Sequence, residues 1–231
     1  MAHIKLKDLI RESHKLDEGF IDIFKKIFPS RNTQNFTPKQ KEILYDYTKA
    51  GYNNINHHLR TKHGIKDLTP DRDYKEYHPY EIEDKIGLIS SAFTKENTNQ
   101  TTITVHTGIP PEFGEKLING IGQTFNFSGF TSTSLDRNIA LNFGELYSND
   151  NNIYIITCIC PQHTALDIQK ISHNKGESEQ LIDRGAKFKV LSYDSNADEY
   201  TFRSDRVYET DTRWGLIVHE IKIKLFGDKS Q

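Results

Sequence analysis

The stretch Gly176-Glu-Ser-Glu-Gln-Leu-Ile-Asp-Arg-Gly185, followed by Ala-Lys-Phe-Lys-Val190, places Glu177 and Glu179 two residues apart at the start of an apparent strand. Residues i and i+2 of a strand share one face, so an extended backbone points both carboxylates into the same volume. There, one can stabilise a developing cation while the other orients an incoming nucleophile. A Glu-x-Glu pair by itself is more often a solvated charge cluster. The case for a site therefore depends on what surrounds it.

On the N-terminal side of this stretch the chain reads as helices and then as strands. Ile4, Leu6, Leu9, Ile10, Leu16, Phe20, Ile23, Phe24 and Ile27 recur at roughly helical spacing until Pro29, which predicts a helical extension over residues 1–36. Thr37-Pro-Lys-Gln40 is a capping box with proline at the first helical position. It opens a predicted helix over 38–49 that ends at Gly51. Tyr52, Ile55 and Leu59 share a face of a following helix that ends near Gly64, and Tyr47, Tyr52 and Asn56 fall along a shared edge. Residues 66–80 are charged, carry Pro70 and Pro79, and read as a surface loop. Ile82, Ile86, Ile89 and Phe93 mark another amphipathic helix.

From Thr101 onward the period changes to short β-branched or aromatic runs at 101–106, 127–133, 153–159, 187–193, 199–203 and 215–225, divided by glycine, proline and asparagine turns. Trp214 stands where it would anchor the last of these strands in the core. Helices followed by strands predict an α+β domain over 37–231 with an antiparallel or mixed sheet.

Composition bounds the possibilities. A chain of 231 residues can bury a substantial core as one folded unit. Its 30 basic and 32 acidic side chains nearly cancel, which leaves no strong overall field for DNA, RNA or an anionic membrane. There is no run of about 18 apolar residues, and the first residues lack the apolar centre of a signal peptide. The expectation is a soluble, cytoplasmic monomer with no membrane or DNA partner. Cys158 and Cys160 lie at i and i+2 of one predicted strand, too far apart for an unstrained disulfide, so buried free thiols are expected. They have no second cysteine pair, and His57, His58 and His63 have no carboxylate or cysteine at suitable spacing, so no metal is expected. Gly114, Gly120 and Gly122 do not form a dinucleotide-binding fingerprint.

Two further segments carry polar groups at strand ends. In Gly129-Phe-Thr-Ser-Thr-Ser-Leu-Asp-Arg-Asn-Ile-Ala-Leu-Asn-Phe143 a strand ending in Ser132-Thr-Ser134 feeds a helix with Ile139 and Phe143 one turn apart. Taken alone, such hydroxyls are ordinary helix caps. In Thr104-Val-His-Thr-Gly-Ile-Pro-Pro-Glu-Phe-Gly114 a strand runs into a Gly-Pro turn and a short helix.

In order, Val105 to Gly114, Phe130 to Ser134 and Glu177 to Gly185, preceded by Tyr47-Thr-Lys-Ala-Gly-Tyr52 and by Ile55-Asn56 with Leu59-Arg60, make a set spanning residues 37–225. This set resembles the mono-ADP-ribosyltransferases, in particular the enzyme components of clostridial and bacillus binary toxins and related phage and exoenzyme proteins. The resemblance implies two small, mostly antiparallel sheets packed around an NAD cleft, with NAD as substrate and no metal. It implies transfer of ADP-ribose to an arginine-type acceptor on a host protein, with RNA as the other acceptor class, by a toxin or phage effector working in the cytoplasm of a host or target cell.

Residue by residue, the resemblance makes Glu179 the carboxylate that bonds the nicotinamide ribose and Glu177 the residue that positions and deprotonates the acceptor. Ser132 holds Glu179 and the ribose in register. Thr133, Phe143, Tyr47, Tyr52, Asn56 and Arg60 fall where the family touches the dinucleotide, as do His106, Thr107 and Gly108. The departure is at the first motif, where the family carries an arginine and this chain offers His106 or Thr107. That substitution keeps two other readings open: a transferase fold that only binds, and an NAD glycohydrolase that uses water as acceptor.

Overall fold

The computed structural model describes residues 35–63, 79–148, 151–197 and 217–227, all within the unit formed by 35–231. The predicted extension up to residue 34, most of the 66–80 loop, the predicted strand at 199–203 and Trp214 lie outside the described residues.

The capping box forms as its spacing predicts. The Thr37 amide donates to Gln40 Oε1 at 2.9 Å, and the Gln40 amide donates back to Thr37 Oγ1 at 3.2 Å. Helix α1 (Pro38–Asp46) follows. The chain does not stop at Gly51: a π-type turn over Tyr47–Gly51 leads directly into α2 (Tyr52–Lys62). Gly51 keeps helical angles, φ −63 and ψ −24, so the glycine weakens the helix without breaking it. The wide turn resets the helical phase. Tyr47 and Asn56 are separated by about two and a half turns of an ideal α-helix, which would put them on opposite sides, yet Asn56 Nδ2 donates to Tyr47 Oη at 3.1 Å.

Helix α3 (Pro79–Ser90) begins inside the predicted loop and buries Ile82, Ile86 and Ile89, while Phe93 lies past its end and is partly buried. These side chains join Ile43, Leu44, Tyr47, Ile55, Leu59, Phe130 and Leu181 in one cluster.

The strands are β1 (Ile103–Ile109), β2 (Thr124–Asn126), β3 (Thr131–Ser134), β4 (Asn152–Cys160), β5 (Ala165–Asp167), β6 (Glu179–Ile182), β7 (Lys187–Ala197) and β8 (Ile217–Leu225). They form a single eight-stranded sheet in the order β2-β7-β8-β4-β1-β3-β6-β5, where two small sheets were expected. All pairings are antiparallel except β4 with β8. The two-part expectation survives in weakened form. The five-strand part and the three-strand part meet only at β1 and β3, through the pair His106↔Ser134.

Helices α4 (Pro111–Ile118) and α5 (Arg137–Tyr147) complete the described elements. Strand β4 is sandwiched. Ile153 and Ile155 meet Ala140 and Leu141 of α5 together with Val218 of β8, whereas Tyr154, Ile156, Cys158 and Cys160 face a core with Leu117, Phe188 and Ile223. Burial on both faces explains why β4 reads as a continuous apolar run rather than an alternating one. Cys158 and Cys160 are buried free thiols, with sulfurs 3.6 Å apart.

Candidate active site

Where the Tyr47–Gly51 turn, α2, α5, β1, β3 and β6 converge, a cavity of about 400 Å³ opens. It is lined by Tyr47, Tyr52, Asn56 and Arg60 from the N-terminal helical run and by His106, Thr107 and Gly108 from β1. Ser132 and Thr133 of β3, Phe143 of α5, Glu177 and Glu179 complete the set of residues singled out in the sequence. All of them meet in one volume. Lys49 and Ser134, which lie within the quoted motifs without an assigned role, also line it, as do Leu146, Tyr147 and Asn174, to which no motif pointed. Among the described residues, no group of three or more His, Cys, Asp and Glu is arranged to hold a metal ion.

Glu179 is the first residue of β6 and pairs across the sheet with Ser134. Directly opposed residues of an antiparallel pair project to the same side, so Ser132, Ser134 and Glu179 share a face. The Glu179 side chain is buried, only 6% exposed. Burial raises its carboxyl above the ordinary range, and hydrogen bonds from Ser172 and Ser132 oppose that shift. Ser172 Oγ donates to Glu179 Oε2 at 2.7 Å and accepts from the Asn174 amide at 3.2 Å. One buried hydroxyl thus grips the carboxylate and starts the turn that leads to Glu177. Nothing in the pattern around Ser172 distinguishes it from a loop serine.

Glu177 reaches the cavity by a different route from the one predicted. The backbone is not extended through it: Glu177 closes a short 3-10 turn (Lys175–Glu177), and Ser178 adopts left-handed angles, φ 47 and ψ 44. The alternation rule therefore does not bring the two carboxylates together. The turn does, and Ser134 fixes it by donating its Oγ hydrogen to the Glu177 carbonyl at 2.6 Å while accepting from the Asp136 amide at 2.9 Å. Burial, followed by the Glu179 charge, raises the Glu177 carboxyl. The side-chain cap of α5 is Asp136, which accepts from the Asn138 amide at 2.9 Å, so the Ser-Thr-Ser hydroxyls are free of capping duty. Thr133 Oγ1 donates to the Gln180 carbonyl at 2.7 Å.

Tyr47 and Asn56 brace the start of β3. Tyr47 Oη donates to the Phe130 carbonyl at 3.3 Å and Asn56 Nδ2 reaches the same oxygen at 2.9 Å. Tyr47 is almost wholly buried and its hydroxyl is held far above the ordinary phenol value, chiefly by burial. Tyr52 and Phe143 are exposed at the rim. Gly108 has a packing reason as well as a place in the wall: a Cβ there would run into backbone atoms of Ala140, Phe143 and Gly144 of α5. His106 Nδ1 hydrogen-bonds Thr157 Oγ1 at 2.9 Å, and burial lowers the tendency of the ring to protonate.

The model of the ADP-ribosyltransferase exoenzyme family matches residues 22–223. No curated protein sequence matches. Among solved structures, Plx2a, an ADP-ribosyltransferase toxin from Paenibacillus larvae, superposes with a TM-score of 0.59 at 18% identity, covering 91% of this chain and 97% of that one. The ADP-ribosyltransferase Vis in complex with agmatine gives 0.58 at 19% identity, covering 100% and 90%. BECa, the ADP-ribosylating toxin of a binary enterotoxin of C. perfringens, solved with NADH, gives 0.60 at 19% identity, covering 89% and 47%. At these identities the structures bear on the fold. The family model spans most of the sequence, from before the first described helix into β8, and on that match the chain belongs to the ADP-ribosyltransferase exoenzyme family.

Proposed function

We propose that residues 37–231 form the catalytic domain of an NAD-dependent mono-ADP-ribosyltransferase that moves ADP-ribose to an arginine-type side chain of a target protein and releases nicotinamide. The observation that carries this reading is the meeting of two desolvated carboxyls, Glu177 and Glu179, in one cavity with His106, Ser132 and Arg60. When the bond between ribose C1′ and nicotinamide breaks, its electron pair leaves with nicotinamide and positive charge develops at C1′. A carboxylate that has lost its water is strongly stabilised by a cation arriving beside it. Glu179, buried and held by Ser172 and Ser132, takes that role. The guanidinium nitrogen of the acceptor forms the new bond to C1′, and its proton passes to Glu177, whose raised carboxyl suits it as a base. Arg60 and Lys49 line the cavity and are assigned to the two phosphates of NAD.

The guanidinium acceptor is supported by the similar fold of Vis, which was solved with agmatine, and by a glutamate at position 177. We assign the biological role of a toxin or phage effector acting on a host protein. Incubation with NAD labelled in the adenylate moiety, together with bacterial or eukaryotic lysate, tests the reading. Label transferred to protein and released by hydroxylamine, as arginine conjugates are, is the expected result. Free ADP-ribose with no labelled macromolecule would instead make the protein a glycohydrolase, and no release of nicotinamide would make it a binding module.

A further inference from the structure

The face of the sheet that carries His106 also carries a chain of polar groups. Thr157 lies directly across from His106 in the β1–β4 pairing and is buried. Its hydroxyl donates to Glu220 Oε1 of β8 at 2.6 Å. Arg137, at the start of α5, donates from Nε and from a terminal nitrogen to Glu220 Oε2 at 3.2 and 3.0 Å. Burial pushes the Glu220 carboxyl up, but the hydrogen bonds from Thr157 and Arg137 and the charges of Arg137 and Lys222 outweigh it and leave it below its ordinary value. Glu220 is therefore ionised at neutral pH and can only accept.

The direction of every bond follows from that one fact. A threonine hydroxyl has a single hydrogen, and Thr157 gives it to Glu220. Thr157 Oγ1 can therefore only accept from the ring nitrogen of His106 at 2.9 Å, which places the imidazole proton on Nδ1. A neutral histidine has one protonated nitrogen, and Nε2 is left bare.

We propose that Thr157 and Glu220 are positioning residues that hold His106 as the Nδ1-protonated tautomer, so that Nε2 accepts a hydrogen bond from a hydroxyl of the bound ligand. This rests, for the ligand, on the dinucleotide reading above, and it gives that reading a specific content. A bare Nε2 repels a phosphate oxygen, which is acceptor-only, and welcomes a ribose hydroxyl, which can donate. His106 does not replace the phosphate-binding arginine of the family with a weaker version of the same contact. It takes a different partner on the dinucleotide.

The test is nitrogen-15 NMR of the histidine rings in the full chain without NAD, with the His106 signals assigned by their loss in His106→Gln. Steady-state kinetics are run in parallel. Wild type is expected to show a protonated Nδ1 and an unprotonated Nε2. Thr157→Val removes the acceptor at nearly constant volume and is expected to release the proton to Nε2 and raise KM for NAD about fivefold, the effect of one ordinary hydrogen bond. Thr157→Ser is expected to retain both the ring signature and KM. A wild-type ring protonated on Nε2 would overturn the proposal, as would a Thr157→Val protein with a redistributed proton and unchanged KM. The expected ring signature in a protein that releases no nicotinamide would support the hydrogen-bond chain and count against the transferase reading instead.

Discussion

Glu179 is a residue the fold holds at a cost. Its carboxyl is raised by burial, and a group whose folded value lies above its unfolded value favours the folded state most below the unfolded value, about pH 4.3 for glutamate. That advantage is lost as pH rises through the folded value. Glu179→Gln should therefore raise Tm at pH 7 to 8, by about 2–4 °C for each kcal/mol of relieved burial, with the difference vanishing near pH 4. Thermal unfolding across pH checks this, and a variant less stable than wild type at pH 8 would contradict it. Ser172 acts in the opposite sense on the same carboxyl. Removing its 2.7 Å hydrogen bond with Ser172→Ala should move the acidic limb of the pH–rate profile for nicotinamide release to higher pH. It should also lower kcat about 10- to 100-fold, the range for a hydrogen bond to a charged group. Retention of the wild-type profile would show that Ser172 serves the turn alone. Glu177, Glu179 and Ser132 were singled out by motifs that resemble those of a known family, and the structure brings the three to one cavity. Ser172 and Glu220 were not singled out, since a serine in a polar loop and a glutamate in a Lys- and Ile-rich strand announce no partner until the sheet order is known.

Between residue and fold, the turn at Lys175–Glu177 and the crossing of α5 over β1 matter most. Glu-Ser-Glu contains nothing that forbids an extended strand, so alternation was the natural reading. What defeats it is the left-handed Ser178, a conformation that costs an L-residue roughly 1–2 kcal/mol. Ser178→Gly should relieve about 1 kcal/mol of it, whereas Ser178→Val should lower Tm and displace Glu177. Equal Tm for the three proteins would argue that this backbone geometry is not held in solution. Gly108 lets α5 lie directly on β1, and Gly144 lets the same helix approach Ile153 and Tyr154 of β4. Gly108→Ala should push the helix outward with Phe143 on it, lowering both stability and NAD affinity, and binding calorimetry beside thermal melts would separate the two effects. The capping box and the buried face of α3 were readable from local pattern. Gly51 misled because a glycine signals a helix end only when its φ is positive, and here it is not.

At the largest scale, the strands of the described residues form one sheet in which a three-strand part carrying Ser132, Ser134 and Glu179 hangs on the rest through His106 and Ser134. Strand order is a non-local property that periodicity does not encode: the local pattern predicts helices followed by an antiparallel or mixed sheet, while the division into two sheets came from the resemblance, and the structure joins both parts in one sheet. The larger part has its own core, and truncating fully buried Phe188 to alanine should cost about 3–5 kcal/mol in denaturant unfolding. The cavity lies at the joint, so the sheet brings the polar residues of β1, β3 and β6 against one another while each remains rooted in packed structure. The measurement that bears most directly on this arrangement is the rate of nicotinamide release from NAD by wild type and by Glu179→Gln under identical conditions. Loss of the Glu179 charge should slow release by about 100- to 1,000-fold, as the loss of one preorganised transition-state contact does, with the variant still folded. Equal rates in the two proteins would contradict the assignment of Glu179 as the catalytic carboxylate.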